Sequence, residues 1–116
     1  MDFSWTDDQL ELFAAVEKYA ASELGLRIKE RDRLGDFDEE GWRGCAALGL
    51  QGLTVPEEWG GLGLDALTSV GALERLGKHC RDNGLIFSLN AHIWTVPMPL
   101  VEFGTEDQKK NKTGWL

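Results

Sequence analysis

Apolar residues come along this chain in bursts, separated by glycines, prolines and charged runs. The first burst is introduced by Thr6-Asp7-Asp8-Gln9, which has the form of a capping box: Thr6 as N-cap, Gln9 reaching back. Trp5 and Leu10 have the spacing of a hydrophobic staple across it. Leu12, Phe13, Val16, Tyr19, Ala20 and Leu24 then recur at three- and four-residue steps. That period predicts an amphipathic helix ending near Gly25. Arg27 to Arg33 is charge-rich without an apolar period and reads as a loop closing at Leu34-Gly35. Asp38 is a good N-cap for a second helix, with Phe37 and Trp42 at staple spacing. Trp42, Cys45, Ala46 and Leu48 would be its buried side, and Gly49 its stop.

Leu50 to Val55 is a short apolar run, extended or irregular, ending at Pro56. Breakers at Pro56, Gly60, Gly61 and Gly63 make the next segment an ordered loop. Asp65 can cap a third helix whose stripe would be Leu67, Val70, Leu73, Leu76 and Gly77. A fourth, from about Asn83 to Trp94, is apolar on more than one face, which predicts the central, most buried helix. Pro97 and Pro99 break it, Leu100 to Phe103 forms a short turn, and Thr105-Glu106-Asp107-Gln108 is a second capping box opening a last helix. The fold class is all-α, an irregular bundle of four to five helices. No internal repeat, low-complexity tract or interior linker interrupts it.

Composition narrows the function classes. A chain of 116 residues and 12.9 kDa is one domain by size. Twenty acidic residues against 12 basic ones, a formal net charge of −8, make nucleic acid an unsuitable partner. No apolar run is expected to reach the roughly 18 residues of a membrane span. The start, Met1-Asp2-Phe3-Ser4, lacks a basic secretory n-region, so a cytoplasmic location is expected. Cys45 and Cys80 lack metal-site spacing and read as small buried hydrophobes.

Candidate chemistry is sparse. Gly60-Gly61-Leu62-Gly63 fits neither a dinucleotide loop nor a P-loop, and Glu57 and Glu58 beside it would repel phosphate. It reads as a tight turn. Glu57-Glu58 and Glu39-Glu40 read as solvated carboxylates. His79 and His92 lie on different helices without further ligands, so no metal site is expected. Ser88, Asn90 and His92 interrupt the apolar stretch from Leu85 to Trp94. They require partners, or they line the mouth of a pocket.

Several segments, in order, resemble the N-terminal helical domain of the acyl-CoA dehydrogenase family. They are Phe37-Asp38-Glu39-Glu40-Gly41-Trp42 and Ala47-Leu48-Gly49-Leu50. Next is Leu53-Thr54-Val55-Pro56-Glu57-Glu58-Trp59-Gly60-Gly61-Leu62-Gly63-Leu64-Asp65, similar to the family's Val-Pro-Glu-Glu-Tyr-Gly-Gly-Leu-Gly-Leu with Trp59 where Tyr is commoner. Leu73-Glu74-Arg75-Leu76, Leu89-Asn90-Ala91-His92 and Phe103-Gly104-Thr105-Glu106-Asp107-Gln108-Lys109 complete the set. The resemblance implies a domain over residues 1–110, followed by a divergent tail over 111–116 where the family continues through Tyr-Leu-Pro.

The resemblance also implies a reaction: FAD-dependent oxidation of the Cα–Cβ bond of an acyl-CoA thioester. A carboxylate takes the α-proton and the β-hydrogen leaves as hydride. In the family the flavin and that carboxylate belong to a middle β-domain and a C-terminal helical domain. No catalytic, cofactor-binding or metal-binding residue is therefore expected on this chain, and no flavin is expected to bind it alone. The implied contribution is to the acyl pocket: Phe87, Asn90 and Ala91 would point there, with Trp94 next. A bulky Phe87 or Trp94 would shorten the accepted acyl chain. The partners implied are the acyl-CoA substrate and the flavin-bearing domains or a partner subunit. A homo-oligomer would be another way to cover apolar surface. The alternative reading is a truncated or repurposed helical interaction module.

Overall fold

Thr6 opens the first helix as its sequence context dictates. In the computed structural model, which describes residues 1–112, α1 spans Asp7–Glu23. The Gln9 backbone N–H donates to Thr6 Oγ1 (3.3 Å) and the Thr6 N–H donates to Gln9 Oε1 (2.8 Å). Trp5 is not stapled over Leu10, which is exposed. It stands edge-on to Phe13 instead, with ring centroids 4.9 Å apart at 87°.

The charged run after α1 is a helix, not a loop: α2 spans Ile28–Leu34. Gly25 (φ 69°) and Arg27 (φ 54°) adopt left-handed conformations that turn the chain and restart it. The Arg31 guanidinium then donates back to the Leu26 carbonyl (2.7 Å) and pairs with Asp38 (3.0 Å). No residue of α2 is buried, so an apolar period could not reveal it.

Asp38 is buried, accepts from the Gly41 N–H (2.9 Å) and caps α3, Glu39–Ala47. Gly41 and Cys45 are its buried residues. Trp42 and Ala46 are half-buried, and Leu48, expected inside, is exposed. Two 3₁₀ turns follow, Leu50–Gly52 and Glu57–Trp59, where irregular chain was expected. The glycine loop folds back on the first of them: the N–H groups of Leu62, Gly63 and Leu64 donate to the carbonyls of Gly52, Val55 and Leu53 at 2.8–2.9 Å. Gly61 is required there, because a Cβ would lie 2.0 Å from the Val55 carbonyl oxygen.

Asp65 caps α4 (Ala66–His79) through the Thr68 N–H (2.8 Å), and Asp82 caps α5 (Asn83–Thr95) through the Leu85 N–H (3.0 Å). α6 is Pro97–Phe103 and α7 is Glu106–Lys112. The Thr105 and Gln108 box opens α7 as expected. α7 crosses the anticipated 110/111 boundary, and the rest of the expected tail lies outside the described residues. The all-α class holds, but with seven α-helices and two 3₁₀ turns among the described residues rather than four or five helices.

The core sits between α1 and α4 and is closed by α3, α5 and the first 3₁₀ turn. Phe13, Val16, Ala20 and Leu24 meet Ala72, Leu73 and Leu76, with Leu50, Leu53, Leu85, Leu89 and Ile93 completing it. The expected α4 stripe is rotated. Leu67 and Val70 are 67% and 52% exposed. The buried face is Thr68, Ser69, Gly71, Ala72, Leu73 and Leu76. Small residues win there because α1 lies close: a Cβ on Gly71 would sit 2.5 Å from Phe13. Gln9 Nε2 also donates to Thr68 Oγ1 across this contact (2.7 Å). The molecule measures 42 × 38 × 20 Å. Twenty ångströms is about two helix diameters, so several helices have a neighbour on one side only.

Candidate functional site

α5 carries the residues that the sequence singles out. Leu85, Leu89 and Ile93 are its buried residues. Phe87, Asn90, Ala91 and Trp94 follow an i, i+3, i+4, i+7 order on one side of a 3.6-residue helix, and of them Trp94 also packs in part against the core. Phe87 is 74% exposed, and the other three are half-buried. α5 is therefore not the central, most buried helix expected from its composition. It is apolar on more than one side, and among the described residues Phe87 is left exposed.

The same apolarity runs on into α6. The 21-residue stretch Asn83–Phe103 contains an 18-residue window of mean hydropathy 1.3, long and apolar enough to cross a bilayer by composition, contrary to expectation. It is not one helix. The chain is kinked at Val96 (φ −114°, ψ −69°), where Pro97 starts α6, and the bonds from the Val96 N–H to the His92 carbonyl and from the Leu100 N–H to the Val96 carbonyl carry across the break.

The polar residues in the stretch have different fates. Ser88 Oγ donates to the Gly84 carbonyl (2.8 Å) and Asn90 Nδ2 to the Ile86 carbonyl (2.9 Å), both within α5. The His92 ring stands edge-on to Trp42, centroids 5.5 Å apart, and its Nε2 is buried without a partner. Burial holds His92 below the ordinary imidazole pKa, because the charged form loses solvation.

Of the anticipated substrate-facing residues, Trp94 lines a cleft of about 430 Å³ at the α5–α6 elbow, with Thr54, Met98, Val101, Glu102 and Phe103 among its other walls. Phe87, Asn90 and Ala91 do not line that cleft; Phe87 is exposed and the other two are half-buried. Thr54 and Met98 were not foreseen. Met98 and Glu102 follow Trp94 at four-residue steps, while nothing in linear spacing links Thr54 to either helix.

The other candidates resolve into structure. Glu57 and Glu58 are exposed, and Glu39 makes an exposed i,i+4 pair with Arg43 (3.5 Å). His79 stands 3.9 Å from Glu17, which Arg75 holds at 2.8 Å while lying 5.4 Å over the Phe13 ring. That hydrogen bond from Arg75 holds the Glu17 carboxyl below its ordinary pKa. Burial pushes the Cys45 thiol up to about 12, which leaves it protonated and unreactive at neutral pH. Among the described residues no group of three His, Cys, Asp or Glu is placed to hold a metal.

A flavin diphosphate does not fit the residues present. The backbone N–H groups of Gly60, Gly61, Leu62, Gly63 and Leu64 are all donated to chain carbonyls, so the glycine loop has none free for phosphate. The cleft that gathers Lys29, Arg31 and Arg81 also gathers Asp32, Asp36, Asp38 and Asp82.

Fold and surface together define an all-α domain with one finished core and one apolar face turned outward. Residues 6–113 match the family described as "Acyl-CoA dehydrogenase, N-terminal domain", and the chain belongs to that family. It is similar to an L-prolyl-[peptidyl-carrier protein] dehydrogenase of Pseudomonas fluorescens: 37% identical over 111 residues, covering 96% of this chain and 29% of that protein. Among solved structures it is similar to the prolyl acyl carrier protein oxidase AnaB, with TM-score 0.90, 39% identity and coverage of 95% of this chain and 29% of that one. It is likewise similar to PigA solved as an FAD complex, with TM-score 0.90, 32% identity and coverage of 97% and 30%. The chain thus spans under a third of the length of these relatives.

Proposed function

We propose that this domain forms the acyl-side wall of an FAD-dependent dehydrogenase that introduces a Cα–Cβ double bond into an acyl thioester. The observation that carries this reading is the outward stripe of α5. Phe87 is 74% exposed on the side of α5 away from Leu85, Leu89 and Ile93, with Asn90 and Ala91 half-buried beside it, while Trp94 is shared between the core and the cleft. The flavin and the base that removes the α-proton belong to the remainder of the family fold, and this chain alone is inactive. The acyl carrier is CoA in the family's name and a peptidyl-carrier protein in that of the Pseudomonas relative. The reading covers a thioester of either. Two buried, unpaired cysteines suit a reducing cytoplasm. The apolar outer face is covered by the flavin-bearing domains, and self-association is a further way to cover it.

The test is chain-length selectivity in the complete flavoenzyme carrying this domain. Phe87→Ala removes bulk from the stripe, so kcat/KM for longer acyl thioesters should rise relative to shorter ones. An unchanged chain-length profile would sink the reading.

A further inference from the structure

α2 buries none of its residues, yet it is fixed in place. Arg31 donates to the Leu26 carbonyl and pairs with the buried Asp38, which in turn caps α3. Between α2 and the start of α3 lies a groove of about 420 Å³, and this ion pair is part of its lining. Leu34 and Phe37, 55% and 49% exposed, give the groove an apolar part.

The rest of the lining is charged, and the balance is one-sided: five acidic residues against two basic ones. Arg31 and Asp38 cancel within their pair, and Glu39 is met by Arg43 from outside the groove. That leaves Glu30, Asp36 and Glu40 against Arg27. The three carboxylates are exposed, and none has an ion-pair partner among the described residues. Obligate interfaces are apolar over most of their area, whereas a small apolar centre inside a charged rim is the make-up of a transient one. The groove therefore differs in kind from the exposed Phe87 side of α5, and its charge complements a cationic partner.

We infer that the α2–α3 groove is the docking site of a separate partner protein, which presents an apolar side chain flanked by Lys or Arg. The apolar side chain packs on Leu34 and Phe37, and the flanking cations meet Glu30, Asp36 and Glu40. The chain's net charge of −8 speeds that encounter at low salt.

The probe is a synthetic hexapeptide of two leucines between paired lysines, titrated into the isotope-labelled chain and followed by amide shifts. The shifts should saturate and concentrate in residues 27–40. Its Kd should be about tenfold lower than that of the same peptide with glycines for leucines, the scale of burying part of one leucine. The triple change Glu30→Gln, Asp36→Asn and Glu40→Gln should weaken binding about fivefold, the scale of exposed charge pairs. These positions are exposed, so the variant should keep the urea midpoint of the parent. Glu57→Gln, Glu58→Gln and Glu74→Gln remove the same charge elsewhere and should leave Kd within about twofold. Equal weakening by the two triple changes means attraction to net charge alone and overturns the inference. So does a lysine–glycine peptide that binds as well, or the lack of a saturable shift in residues 27–40. In the complete flavoenzyme the lysine–leucine peptide should bind with the same Kd. Loss of binding there means that the remainder of the enzyme covers the groove, which rules out a separate partner. None of these measurements touches α5, so failure here leaves the acyl-wall reading standing.

Discussion

α1 and α5, of 17 and 13 residues, end up in opposite situations. α1 has an apolar stripe and a polar back, and its stripe is consumed by α4: Phe13, Val16 and Ala20 are buried. α5 also buries three residues, but its other side carries Phe87 to the outside at 74% exposure. Both faces of α5 gain from leaving water at roughly 25 cal/mol per Å², and the domain satisfies one. A helix with one stripe reports the core of its own domain. A helix apolar on more than one side has surface to offer a second partner as well, which the proposed function assigns to the flavin-bearing remainder of the enzyme.

The contrast can be broken by paired truncations. Phe13 is 1% exposed, so Phe13→Ala should cost about 3–5 kcal/mol in urea unfolding. Phe87→Ala should change stability by less than about 0.5 kcal/mol, because its ring has little to lose. Equal costs would mean that the outer face of α5 is packed in solution.

Asp38→Ala removes a buried cap of α3 and leaves Arg31 without its carboxylate, and should cost about 3 kcal/mol. Arg31 holds α2 only through that pair and its bond to Leu26, so amide exchange should rise across α2 before the α1–α4 core. Thr6→Ala should cost about 1 kcal/mol and speed exchange in the first turn of α1. A loss near zero would mean that Trp5 packing on Phe13, rather than the capping box, sets the start of that helix.

The smallest effect is a pH slope from His92. An unfolded His92 takes a proton near its ordinary pKa of 6.5, while the folded one resists to lower pH because it is buried. Protons therefore favour the unfolded chain. Stability from this group is fully present above about 6.5, is lost as pH falls through that value, and levels off below the folded pKa. Thermal midpoints of the His92→Gln variant should show a shallower decline over that window than those of the parent chain.

What could be read in the sequence was what a few neighbouring residues decide. The caps at Thr6, Asp38, Asp65 and Thr105 are correct because each is made within three residues. The glycine loop was legible as a turn for a related reason: left-handed φ at Gly60 and Gly63 is a local requirement. α2 was not legible, since no residue of it is buried and its stability comes from Arg31 reaching Asp38. Phe87, Asn90, Ala91 and Trp94 were singled out through the family resemblance, and their i, i+3, i+4, i+7 spacing on α5 is a property of any helix. Thr54 and Met98, at the α5–α6 elbow, were not singled out.

The sequence by itself determined which segments are helical where apolar period and caps agree, and which family the chain belongs to. Tertiary structure alone decided which face each helix buries. On α4 the apolar period favours Leu67 and Val70, but the close approach of Phe13 demands Gly71 and Ala72, so steric fit overrides hydrophobicity. On α5 two apolar faces compete for one core. The contacts of Leu85, Leu89 and Ile93 with α3, α4 and the first 3₁₀ turn settle which face turns inward. Periodicity records that a face is apolar. Only packing distances decide what lies against it.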